Sequence, residues 1–132
     1  DLLTRADFVS IHLPLNDETR GVIGHAQLAR MKPTAVLINT ARGAIVDEAA
    51  LIAVLREHGI GGAALDVFDQ EPPRTDDPLF RNPNVICTPH VAAWTADGTE
   101  GIGFHAARNL WALISGEGHA DIVNPEARHR AT

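Results

Sequence analysis

The sequence predicts an α/β fold built on a parallel sheet, and three observations carry that reading. Short runs rich in β-forming residues recur at residues 8–15, 35–41, 62–68 and 84–90. Helical patterns at 25–32 and 48–58 separate the first three of these runs. One run, "AVLINTA" (35–41), opens on four apolar residues in a row, which is typical of a strand buried on both faces of a parallel sheet. Strands that alternate with helices form β-α-β units with right-handed crossovers.

The elements follow in order. The opening "DLLTRADF" reads as the end of a helix feeding a strand. "FVSIHLPL" (8–15) alternates and ends at Pro14, as a strand does. "NDETRG" (16–21) is a polar turn. "HAQLARMK" (25–32) is a short helix stopped by Pro33. Asp47 is placed to cap a helix over 48–58, with Leu51, Val54, Leu55 and His58 on one stripe and Gly59 as its stop. "GAALDVF" (62–68) and "NVICTPH" (84–90) are the third and fourth strands, and the Pro- and Asp-rich stretch 69–83 between them is a loop with a solvated Asp76–Asp77 pair. Residues 95–116 form a long amphipathic helix ended by Gly116, and the rest is a tail.

Composition narrows the possible roles. At 132 residues the chain is one domain's worth, with 45% apolar and 21% charged residues. A formal net charge of −6 argues against a nucleic-acid partner, which calls for a basic surface. Cys87 is the only cysteine, so no internal disulfide forms; a reducing, cytoplasmic setting is expected, with Cys87 as a small apolar strand residue. No apolar run approaches the roughly 20 residues of a membrane span, so no membrane partner is expected. His25, His58, His105, His119 and His129 carry no metal-ligand spacing, so no metal site is predicted.

In a parallel sheet, ligands bind beyond the carboxyl ends of the strands. The residues there are His12–Pro14, Thr40–Arg42, Asp66–Glu71 and Thr88–His90. An arginine, several acids and a histidine therefore fall on one rim. Arg42 is either a solvated turn residue or a guanidinium fork for an anionic ligand, since that fork grips a carboxylate bidentately. His90 can trade a proton near neutral pH, and the Glu71 carboxylate beside it would fix its tautomer. Such a set suits a 2-keto or 2-hydroxy acid, with a nicotinamide cofactor to exchange hydride.

Four blocks then resemble one family. "SIHLPLNDETRGVIG", "MKPTAVLINTARGAIVDEAAL", "GAALDVFDQEP" and "NVICTPHVAAWT" are similar to the second half of the cofactor domain of D-isomer-specific 2-hydroxyacid dehydrogenases. That family includes phosphoglycerate, glycerate/hydroxypyruvate and D-lactate dehydrogenases. The blocks run in order from residue 1 to about residue 95, with a weaker echo in "VNPE". The resemblance implies an incomplete Rossmann-type parallel sheet with flanking helices over residues 1–93. Residues 94–132 become a crossover helix and tail returning toward a substrate domain. It implies Arg42 as the carboxylate-binding arginine, Glu71 as the dyad carboxylate and His90 as proton donor and acceptor. It implies NAD as cofactor, with NADP not excluded. Thr40 and Ala41 would line the nicotinamide ribose, Asp66 would meet the carboxamide, His12, Leu13 and Pro14 would wall the adenosine side, and Val91, Ala92 and Ala93 would close over the ring. Trp94 either contacts substrate or packs the start of the long helix, and Trp111 with Ile114 is core or interface. A homodimer through the cofactor domain is a further implication.

Two features depart from the family. The phosphate-binding G-x-G-x-x-G turn is absent: "GIGG" (59–62) and "GTEGIG" (98–103) do not follow strands. The amino-terminal substrate domain is absent too. The chain is therefore expected to be the carboxyl-terminal part of a longer dehydrogenase, and residues 1–132 alone are not expected to bind NAD tightly. Three other readings stay open: an NAD-sensing corepressor, a formate dehydrogenase and a catalytically incomplete fragment. Glu71 argues against formate dehydrogenase, which carries glutamine there.

Overall fold

The computed structural model describes residues 1–116 and 121–124, and it forms two compact units, residues 1–92 and residues from 93 onward. The first unit holds a sheet of four strands in the order of the sequence: β1 (Phe8–Ile11), β2 (Val36–Asn39), β3 (Gly62–Leu65) and β4 (Val85–Cys87). All three pairings are parallel. A short helix α1 (Leu2–Arg5) precedes β1, α2 (His25–Leu28) joins β1 to β2, and α3 (Glu48–Arg56) joins β2 to β3. The link from β3 to β4 is a loop with one 3-10 turn, Pro78–Arg81. The strands are therefore shorter than the apolar runs that announce them, because each run continues past its ladder into the loop that leaves it.

Register explains the core. The rows Val9–Leu37–Ala63–Val85 and Ile11–Asn39–Leu65–Cys87 face one way. Val9, Ile11, Leu37, Asn39, Ala63 and Leu65 are all buried. The alternate row, Ser10–Ile38–Ala64–Ile86, faces the other way, and Ile86 there is 69% exposed. Right-handed crossovers between consecutive strands place their helices on one face. Leu28 of α2 and Leu51, Val54 and Leu55 of α3 complete the core on that face. A sheet buried on both faces was the expectation from "AVLINTA"; among the described residues only one face is closed.

Two local expectations also change. Asp47 caps α3 by accepting the Ala50 amide at 3.0 Å, as expected. The left-handed residue after α3 is His58 (φ 56), however, and Gly59 instead sends its amide back to the Val54 carbonyl. His58 is exposed, so it does not extend the buried stripe. Asp77 is not solvated either: it is buried and accepts the Leu79 amide at 2.8 Å, which starts the 3-10 turn and seats Leu79 in the core.

The second unit is described by itself. Helix α4 (Ala96–Ser115) is capped by Thr95, whose hydroxyl accepts the Gly98 amide at 3.0 Å, and it ends at Gly116 (φ 72). Trp111 and Ile114 are exposed, so neither is core. Asp121 pairs with His105 at 3.2 Å. His119 and His129 lie outside the described residues. Among the described residues no helix is long and apolar enough to cross a membrane.

The core makes one firm demand. Leu37 is fully buried at the centre of β2. Replacing it with Ala should cost about 2–5 kcal/mol, seen as a lower urea midpoint at unchanged slope.

Candidate active site

The rim forms where the ladder stops. Beyond Ile11, Asn39, Leu65 and Cys87 the chain leaves the sheet, and hydrogen bonds carry the order a little further. The Asp66 amide donates to the Asn39 carbonyl at 3.0 Å, and the Thr88 amide donates to the Leu65 carbonyl at 2.9 Å. Loop residues are thus held to strand tips, not left free.

His90 and Glu71 meet. His90 Nδ1 lies 2.8 Å from Glu71 Oε2. The other carboxylate oxygen, Oε1, accepts the Phe68 amide at 3.1 Å. Both oxygens of Glu71 are therefore committed, which fixes the carboxylate plane. The His90 bond first, then the Phe68 amide, hold the Glu71 carboxyl below its ordinary range, and Arg42 adds a smaller pull in the same direction. With Nδ1 on Glu71, Nε2 is the ring nitrogen left to exchange a proton. The pair borders a cavity of about 320 Å³ whose walls include Phe68, Pro72, Pro73, Phe80 and Cys87.

Asp66 holds the histidine loop. Its Oδ1 accepts the Thr88 hydroxyl at 2.5 Å and the Val91 amide at 2.9 Å, and its Oδ2 accepts the Ala92 amide at 2.8 Å. The His90 amide returns to the Asp66 carbonyl at 2.9 Å. His90 itself adopts φ 55, a left-handed conformation that a non-glycine residue keeps only when its neighbours over-determine it. Burial pushes the Asp66 carboxyl up, but the Thr88 hydroxyl and the Ala92 and Val91 amides outweigh it, and the net shift is downward.

Arg42 sits on the turn after β2. Its side chain is exposed, and Nη1 donates to the Ala41 carbonyl at 2.6 Å. His12, Leu13 and Pro14, which follow β1, lie with Ala41 and Arg42 around an open cavity of about 560 Å³. His12 stands just past its strand, not within it; its Nε2 shares a hydrogen bond of 2.8 Å with the Ser10 hydroxyl. Thr40 is exposed on the Arg42 turn. Ala93 and Trp94 open the second unit, where Trp94 is 78% exposed. Sequence reasoning overlooked Asn39, whose buried carboxamide bonds both Ala41 and Arg42. Its one signal was a polar residue closing an apolar run.

Comparison with known proteins gives this rim a family. The model of the NAD-binding domain of D-isomer specific 2-hydroxyacid dehydrogenases matches residues 1–92. The chain belongs to that family. It is 48% identical to a glyoxylate reductase of Aeropyrum pernix, covering 96% of this chain and 38% of that protein. It is 44% identical to a D-3-phosphoglycerate dehydrogenase of Methanocaldococcus jannaschii, covering 94% of this chain and 24% of that one. Among solved structures, the D-lactate dehydrogenase of Lactobacillus jensenii with NAD+ superposes with a TM-score of 0.83 at 39% identity, covering 92% of this chain and 41% of that one. The chain thus spans well under half the length of these dehydrogenases.

The residues present fit one wall of an NAD site. An ionised carboxylate offers about four acceptor positions. Asp66 uses three of them within its own loop, which leaves one for an outside donor. The open cavity beside His12–Pro14 and Ala41 supplies apolar and backbone surface on the same rim. A phosphate-binding glycine turn is not part of this sequence.

The Glu71 assignment has a direct check. Its carboxyl is depressed, so the ionised bond to His90 is present above the ordinary glutamate range and is lost as pH falls through the depressed value. In His90→Ala the carboxyl 13C shift of Glu71 should titrate at higher pH than in the parent chain. An unmoved titration would contradict the pairing.

Proposed function

We propose that the protein carrying this chain is an NAD-linked oxidoreductase that interconverts a 2-keto acid and a D-2-hydroxy acid. The observation that carries the reading is the His90–Glu71 contact of 2.8 Å on the rim that also bears Arg42. Family membership supports it, as do relatives named glyoxylate reductase and D-lactate dehydrogenase.

Each side chain has one task. Arg42 grips the substrate carboxylate; its Ala41 bond is one that a bidentate anion can replace. His90 gives its Nε2 proton to the forming hydroxyl on reduction and takes it back on oxidation. Glu71 accepts from Nδ1, holds that tautomer and favours the imidazolium. Thr40, Ala41 and Asp66 would hold the nicotinamide end of the cofactor, His12, Leu13 and Pro14 the adenosine side, and Val91, Ala92 and Ala93 the cover. NAD, when bound, supplies the hydride donor or acceptor. Trp94 would border the substrate.

Three wider points belong to the same reading. Residues 94–132 would be the crossover helix and tail that lead back toward a substrate domain, a span of which 117–120 and 125–132 lie outside the described residues. The protein pairs as a homodimer through this domain, a reading supported by apolar side chains such as Phe8 and Ile86 left in solvent. It works in the cytoplasm, a reading supported by the lone, unpaired Cys87.

Steady-state NADH oxidation with glyoxylate, hydroxypyruvate and pyruvate tests the proposal in the intact protein. Arg42→Leu should raise KM for the keto acid by about a hundredfold, and Arg42→Lys should recover little, because an ammonium lacks the planar fork. His90→Gln should lower kcat by about 10²–10⁴ while the protein remains folded. No turnover of any 2-keto acid by the parent would refute the assignment.

A further inference from the structure

Asn39 ends β2, and at 1% exposure it is the most deeply buried polar residue among those described. Its carboxamide is used at both ends. Oδ1 accepts the Ala41 amide at 3.1 Å, and Nδ2 donates to the Arg42 carbonyl at 2.9 Å. Together the two bonds close the turn that carries Arg42. The main-chain carbonyl of Asn39 meanwhile receives the Asp66 amide, so the same residue ties this turn to the base of the histidine loop.

The far side of the turn is fixed as well. A Cβ on Gly43 would stand 1.9 Å from the Phe68 carbonyl carbon, so the glycine backbone rests directly on the Phe68–Asp69 segment. That segment holds Glu71 through the Phe68 amide. The Arg42 backbone is extended (φ −147, ψ 138), its side chain is exposed, and its guanidinium bonds back to the Ala41 carbonyl of the same turn. Its starting point is set by the turn alone.

We propose that Asn39 is a positioning residue for Arg42. It sets where the guanidinium originates relative to the Glu71–His90 pair, and through that the grip on a substrate carboxylate. The inference rests on reading Arg42 as the carboxylate-binding residue. Bridging this turn needs a donor and an acceptor at one short reach. Aspartate would keep the acceptor for Ala41 but set a second oxygen against the Arg42 carbonyl in a buried site. Serine is too short to span both ends.

The test uses Asn39→Ser, Arg42→Leu and the double variant in the intact protein. By 15N relaxation, the amides of residues 42–44 should fall from an order parameter of about 0.85 to below about 0.6 in Asn39→Ser, with the rest of the sheet unchanged. KM for glyoxylate should rise about tenfold, the scale of one lost hydrogen bond, with kcat within about twofold and KM for NADH unmoved. In the Arg42→Leu background, Asn39→Ser should add less than about twofold, because its effect passes through Arg42. An unchanged order of the turn, a fall in kcat with both KM values disturbed, or full multiplication on Arg42→Leu would each overturn the inference. If the parent reduces no 2-keto acid while the turn still loosens in Asn39→Ser, the positioning role stands and the carboxylate reading of Arg42 falls. Should Asn39→Ser fail to fold, hydrogen exchange of the parent decides: an Ala41 amide protected like the β2 ladder supports the clamp, and exchange at loop rates overturns it.

Discussion

The parallel ladder ends in one row, Ile11, Asn39, Leu65 and Cys87, and the chemistry depends on how the chain is held just beyond it. Backbone pairing alone does not reach that far. Two buried polar side chains extend it: Asn39 closes the arginine turn, and Asp66 gathers the histidine loop. They are linked by the Asp66 amide on the Asn39 carbonyl. Burying an amide or a carboxylate is costly unless its hydrogen bonds are made. Here they are made by the loops themselves. Loosening either loop would leave a buried acceptor unpaired, so loop order and strand burial stabilise each other.

The exposed members of the site follow from that arrangement. Arg42, Glu71 and His90 are all solvent-facing, yet each is anchored through its backbone or through a bond to a held segment. Glu71 illustrates the hierarchy. Its carboxylate is placed by the Phe68 amide, Phe68 is a core residue, and the Gly43 backbone presses on that same stretch. The arginine turn and the carboxylate arm therefore share a contact made of backbone, where a side chain on Gly43 would force them apart. Precision comes from beneath, and accessibility is kept on top.

Much of this was legible in the sequence, for physical reasons that differ by element. Helix α3 was readable because its cap, Asp47, and its buried stripe, Leu51, Val54 and Leu55, act within a few residues. The rim was readable because topology puts every strand's carboxyl end on one edge, and Arg42, Glu71 and His90 each follow a different strand. Asn39 was hidden inside "AVLINTA", a run read whole as one strand, and its partners became visible only once the turn was built. Asp77 looked like half of a solvated acidic pair, yet it is buried as a cap on a 3-10 turn. His58 looked like part of a stripe, but the chain takes its left-handed residue there and not at Gly59. The open face of the sheet was not legible from "AVLINTA" itself, because apolarity reports burial somewhere, not which described element supplies it.

An acidic chain proposed to grip an anion is less paradoxical than the net charge of −6 suggests. At physiological ionic strength, exposed charges beyond about 8 Å are largely screened, so an approaching carboxylate responds to its nearest neighbours. Those are Arg42 and the His90–Glu71 pair. Glu71 is the obvious source of repulsion, yet it is the member most fully committed, with one oxygen on Phe68 and the other on His90. When His90 carries its proton, the pair is close to neutral and Arg42 is left as the unbalanced charge. When it has given the proton away, the Glu71 charge is no longer compensated. On the proposed reading of Arg42 and His90, anion affinity at this rim is coupled to the proton on His90: a keto acid would be gripped best in the state that can protonate it.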